Sequence, residues 1–111
     1  MSLKSELAKI SKPYVRKSEI LTGEKGNKVE VRCYDNLGRS IDRYCVYFMD
    51  EKNERNRHTA YLAMDATPFY AQGFGQHGEG VPGPHNGKRI RFSELPTDCQ
   101  KCVMNDVNFE A

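Results

Sequence analysis

Tryptophan is absent from this chain, so tyrosine and phenylalanine must supply the large apolar pieces of its core. Long apolar runs are absent as well. The longest, Tyr44–Met49, is six residues, against the roughly 20 that a helix needs to cross a bilayer. A helical membrane span is therefore excluded, and no membrane partner is expected. The early lysines are not followed by an apolar stretch, which points away from a secretory leader. The expected location is cytoplasmic, with reduced cysteines. Met1-Ser2-Leu3 reads as a vector-derived start. A strong charge of one sign is also missing: the net charge is +2 and the pI about 8.3, below the value above ~9 that marks a nucleic-acid footprint.

The charge that is present lies unevenly. Residues 1–28 carry seven Lys/Arg against three Glu, and the remainder ten against twelve Asp/Glu. A basic arm on a mildly acidic body can meet phosphates or an acidic partner, and a solvated helix face explains the same residues. At 111 residues the chain suits one domain. Its 38% hydrophobic and 29% charged residues fit a folded globular protein. Separate cofactor and substrate domains have no room.

Leu3, Leu7 and Ile10 recur at helical spacing up to Pro13, predicting a short basic helix over residues 2–11. With the linker after it, this gives an N-terminal segment 1–26 and one α+β domain over 27–111. A short strand is expected near Val15 or Ile20–Leu21. "KVEVRCYDNLGRSIDRYCVYFMD" predicts a hairpin about Asp35-Asn36-Leu37-Gly38. Pairing Asn36 with Arg39 would set Val31 opposite Tyr44, Val29 opposite Val46 and Cys33 opposite Asp42. One face is then Val29, Val31, Cys33, Tyr44, Val46 and Phe48. The other carries Ile41, Cys45, Tyr47 and Met49, too apolar to be comfortably wet, and calls for cover by the N-terminal helix or a second copy. "HTAYLAMD" reads as a third strand and "KRIRF" as a short fourth. "SELPTDCQKCVMNDV" reads as a helix with Ser93 as N-cap and a buried stripe of Leu95, Cys99, Cys102/Val103 and Val107. The expected architecture is an antiparallel meander of three to four strands, a C-terminal helix on one face and a short N-terminal helix.

Pro68–Gly87 holds six of the nine glycines, three of the five prolines and two of the three histidines. A 20-residue segment of this kind reads as a functional or disordered loop, and its aromatics argue for order. Phe69, Tyr70, Gln72 and Phe74, with Lys88, Arg89 and Arg91 behind them, form the candidate partner-binding set. Flat rings beside cations also suit single-stranded nucleic acid. Gly73-x-Gly75-x-x-Gly78 matches a dinucleotide fingerprint as a string. Glu79-Gly80-Val81-Pro82 cannot open the helix that fingerprint needs. His77, Glu79 and His85 are the ligand types of some non-haem iron sites, although a loop is a poor frame for a triad. Cys99-x-x-Cys102 lies on the apolar stripe, and Cys33 and Cys45 fall on opposite sheet faces. Core thiols are expected rather than a zinc or redox pair. No nucleophile with a neighbouring base stands out.

"YLAMDATPFYAQGFGQHGE" and "GKRIRFSELPTDCQKCV" resemble a group of small uncharacterised phage and bacterial proteins. In these a Pro-Phe-x-x-Gln-Gly-Phe-Gly-Gln-His-Gly-Glu loop leads into a Gly-Lys-Arg-Ile strand and a Leu-Pro helix. The resemblance spans residues 61–103 and implies that the Pro68–Gly87 loop is a fixed feature. It implies no activity. The function expected is a non-catalytic binding or assembly module acting through that loop, with a protein partner or a second copy. Nucleic-acid binding and a metal enzyme using His77, Glu79 and His85 are the alternatives, and no cofactor is expected.

Overall fold

The computed structural model of the chain describes residues 18–49, 59–69, 73 and 75–109. Among the described residues six strands form one antiparallel sheet, and one α-helix packs on it. The α+β architecture is as expected, but the sheet has six strands rather than three to four. The helix expected over residues 2–11 lies outside the described residues.

The strands are β1 (Glu19–Thr22), β2 (Lys28–Asp35), β3 (Tyr44–Met49), β4 (Thr59–Met64), β5 (Gly75–Gly80) and β6 (Lys88–Ile90). They run in the order β1-β2-β3-β4-β5, and β6 joins β2. β1 pairs with the first half of β2 and β6 with its last three residues, so the two lie end to end along one edge. The Glu19 carboxylate closes the seam between them by accepting the Phe92 N–H at 2.7 Å. The sheet thus begins at Glu19, and β1 is the short strand expected near Ile20–Leu21.

The β2–β3 hairpin keeps the expected faces and changes the register. Val31 opposes Phe48, Cys33 opposes Val46 and Asp35 opposes Tyr44, a slip of four positions from the pairing expected of a tight turn. The cause is local. The Asn36 side chain donates to Ser40 Oγ and to the Asp42 carbonyl, and its oxygen accepts the N–H groups of Gly38 and Arg39. The Asp35 carboxylate accepts the Leu37 N–H and a two-pronged contact from Arg43. The loop therefore wraps around one amide and closes on Asn36 N–H to Arg43 carbonyl at 2.9 Å. An Asx residue that bonds its own backbone competes with the two-residue turn.

On one face Val31, Cys33, Val46, Leu62, Met64 and Ile90 form the sheet half of the core. The other half is α1 (Thr97–Phe109), whose Cys99, Val103 and Val107 are fully buried. Leu95 joins them from just ahead of the helix. The buried stripe is the expected one; the helix start is not. Pro96 holds Leu95 extended, with ψ at 147°, because a proline disfavours helical backbone in the residue before it. Phe92–Glu94 is a separate 3-10 turn, so α1 begins at Thr97 and Ser93 is not its cap.

The segment read as a loop contributes a strand. β5 pairs along all of β4, from Thr59 opposite Gly80 to Met64 opposite Gly75. Its sequence, GQHGEG, has almost no β-propensity. Its glycines make room for a ring: a Cβ at Gly78 would stand 2.6 Å from the Tyr61 hydroxyl oxygen.

Candidate functional site: a cleft on the tyrosine face

The sheet face away from α1 carries a row of rings. Tyr34, Tyr47 and Tyr61 sit on neighbouring strands with centroids 5.7 and 5.3 Å apart, each pair edge to face. The Arg89 guanidinium of β6 extends the row over Tyr34 at 5.5 Å. Such contacts contribute about 0.5–1.5 kcal/mol each beyond burial.

A short strap crosses this row. β5 and β6 lie on opposite sides of β4, β3 and β2, so four strand spacings, about 19 Å, separate them. Residues 81–87 bridge that gap, and seven residues reach only about 23 Å when extended. The strap has little slack, and it passes over the rings. Asn86 fastens it: its side-chain nitrogen donates toward the Val81 and Gly83 carbonyls, and its oxygen lies 3.1 Å from the Tyr47 hydroxyl. At its far end Gly87 has φ at 109°, and a Cβ there would stand 2.3 Å from the Asp35 carbonyl oxygen. Tyr34 and Tyr47 are each 2% exposed.

Part of the second face is thus covered by the chain itself; the N-terminal helix expected to cover it lies outside the described residues. The chain's own strap lies over Tyr47, while Cys45 and Met49 are half-buried. Ile41, assigned to that face by the tight-turn register, sits in the Asn36–Arg43 loop and is 75% exposed.

Between strap and loop lies an open cleft of about 330 Å³. Cys45, Tyr47 and Tyr61 line it from the sheet, and Asn36, Ser40 and Asp42 from the loop. Val81, His85 and Asn86 of the strap and Glu79 of β5 complete the wall. Burial pushes the Cys45 thiol up to about 12, helped by the Asp42 charge. Burial also raises the Tyr47 phenol to about 12, with Cys45 adding to the effect. Both stay protonated near neutral pH, so neither is an activated nucleophile or base.

Among the described residues the sequence-predicted site residues do not converge. Phe69 is 54% exposed in the turn after β4, and Lys88, Arg89 and Arg91 belong to β6 and its exit, three strand spacings away. Arg89 rests on Tyr34. Tyr70, Gln72 and Phe74 lie outside the described residues. His77 pairs with Asp106 of α1 at 2.7 Å, Glu79 is exposed on β5, and His85 sits in the strap beside Asn86. Among the described residues no three of His, Cys, Asp and Glu are grouped to hold a metal ion. The four cysteines are free. Cys33 and Cys45 are on opposite faces as expected, and Cys99 donates to the Asp65 carbonyl at 3.0 Å.

The reading of the sequence missed Asn36, Ser40, Asp42, Tyr61 and Asn86 as site residues. One signal was available. Tyr34, Tyr47 and Tyr61 fall on the same side of the sheet by strand alternation. Three rings on the face away from the core mark it as occupied. No protein-family model, curated protein or solved structure matches this chain.

Proposed function

We propose that the protein is a non-catalytic binding module whose recognition site is the cleft between the strap and the Asn36–Arg43 loop. The observation that carries this reading is the cleft itself. Its volume of about 330 Å³ falls in the range of small-molecule sites, ~300–1,000 Å³. Aromatic rings stand on one side and polar groups on the others. Those polar groups bond one another rather than forming an acid, base and nucleophile in sequence. The strap, the last seven residues of the glycine- and proline-rich segment, is then a wall of the site. The size suits a small molecule or one projecting side chain of a protein partner.

The test is a fragment screen by two-dimensional amide NMR on the whole chain. Binders should shift amides of Cys45, Tyr47, Gly80, Val81 and Asn86 together. Shifts confined to Lys88–Arg91 would favour the nucleic-acid alternative and overturn this reading, as would a screen in which no fragment reaches the cleft.

A further inference from the structure

We propose that the cleft takes an organic cation, a group of the alkylammonium class. The inference rests on the cleft being the recognition site, and it follows from the hydrogen-bond inventory of the walls. Asn36 spends both amide hydrogens, on Ser40 Oγ at 2.8 Å and the Asp42 carbonyl at 3.1 Å. Ser40 gives its only hydroxyl hydrogen to Asp42 Oδ1. Asn86 directs its side-chain nitrogen to backbone carbonyls of the strap. Tyr47 has one hydroxyl hydrogen, which lies between Asn86 Oδ1 and the Val81 carbonyl. These donors are committed inside the protein. A carboxylate offers about four acceptor positions, and Ser40 fills one at Asp42. The Tyr61 hydroxyl, the Cys45 thiol and the His85 ring also line the wall and can donate, but the open positions at Asp42 are the ones that carry negative charge, and they call for a ligand that donates.

Charge points the same way. One lining acid belongs to this side, Asp42, and no lining residue is lysine or arginine; the Glu79 side chain, opposite Ala60 in the register, falls with His77 on the α1 face. Arg43, next to Asp42 in the chain, is committed elsewhere. It pairs with Asp35 at 2.8 Å and lies over the Tyr44 ring at 5.3 Å. Tyr61, half-buried in the wall, supplies an aromatic face of the kind that attracts alkylammonium groups. An anion would meet the Asp42 charge with few donors to offset it.

The same chemistry could come from a free amine or from a lysine side chain of a protein partner, and the test separates them. The labelled protein is titrated into the tens of millimolar with n-butylammonium, n-butanol and pentanoate, and with the blocked peptide acetyl-Ala-Lys-Ala-amide. n-Butylammonium should move the Cys45, Tyr47 and Val81 amides saturably, and n-butanol and pentanoate should not. Asp42→Asn should weaken that binding about fivefold to tenfold, and raising the salt from ~0.01 M to ~0.15 M should weaken it further. Tyr61→Leu, which leaves the Asn36–Arg43 loop intact, should weaken it as well. A peptide affinity at least about tenfold above that of n-butylammonium assigns the site to a lysine of a partner; equal affinity assigns it to a free amine. Binding of pentanoate or n-butanol as tight as n-butylammonium, unaffected by Asp42→Asn, overturns the cation assignment and leaves the cleft as a site. Absence of any cleft shift with n-butylammonium and the peptide overturns the assignment too, and the fragment screen then decides whether the cleft binds anything.

Discussion

Tyr61 lies against Gly78 so closely that a Cβ at position 78 would stand 2.6 Å from its hydroxyl oxygen and 2.7 Å from the ring carbon bearing it. The ring also meets Tyr47 edge to face at 5.3 Å. The glycine of β5 and the tyrosine of β4 are therefore one packing unit.

Gly78→Ala should lower stability by about 1–3 kcal/mol, since the ring must shift against Tyr47. Gly87→Ala should lose at least as much, because the added carbon meets backbone at 2.3 Å and φ is 109°. Gly75→Ala is the control: its nearest neighbour, the Pro68 side chain, would be 3.9 Å away. Urea midpoints of the three variants check the order. Equal midpoints for Gly75→Ala and Gly78→Ala would contradict the packing account.

Asn86→Ala should release the strap. It removes the contacts to the Val81 and Gly83 carbonyls and to the Tyr47 hydroxyl, and a polar group left without its partner costs about 1–3 kcal/mol. Cys45 should then react faster with a thiol reagent under native conditions, while Cys33 and Cys99, on the helix side, should not. A uniform rise at all three thiols would indicate global unfolding instead.

Leu37 has φ at 64° and is 61% exposed. Left-handed backbone costs a branched L-residue about 1 kcal/mol, and asparagine tolerates it. Leu37→Asn should therefore raise stability by about that amount, read as a higher urea midpoint with an unchanged slope. A lower midpoint would mean the leucine makes a stabilising contact.

The pH profile has two limbs. Cys33, Cys45 and Cys99 are raised from 9.0 to about 12, burial being the first cause in each. Tyr47 rises from 10.0 to about 12, again by burial. A group with a higher pKa in the folded state contributes fully below its unfolded value and loses that contribution as pH climbs through the folded one. Stability should thus fall as pH rises from 9 toward 12. Asp35 is held below the ordinary 3.8, first by the hydrogen bond from Arg43. Its contribution is present above that value and lost as pH falls below it. Urea midpoints across the range should be flat from roughly pH 5 to 8 and drop on both sides. Asp35→Asn should make the acid drop shallower; an unchanged acid limb would remove the ion pair from the account.

The sequence by itself determined which residues share a face. Val29, Val31 and Cys33 alternate along β2, and Tyr44, Val46 and Phe48 along β3. A register slip of four positions is an even number, so every side chain that remained in β2 and β3 stayed on its predicted side. The helix stripe of Cys99, Val103 and Val107 was legible for the same reason, since periodicity is a local property.

Only the tertiary structure decided the rest. The hairpin register depended on Asn36 and Asp35 bonding groups up to eight residues away, not on turn propensity. GQHGEG became a strand because β4 offered it an edge and Tyr61 needed the space above Gly78, and neither can be read from a run of glycines. The strap followed from β6 joining β2, at the far side of the sheet from β5. Residues 81–87 span the sheet on its tyrosine face, where Val81 and Asn86 meet the Tyr47 hydroxyl. The cleft exists where that path runs past the Asn36–Arg43 loop, and its walls come from segments distant in sequence that long-range pairing alone brought together.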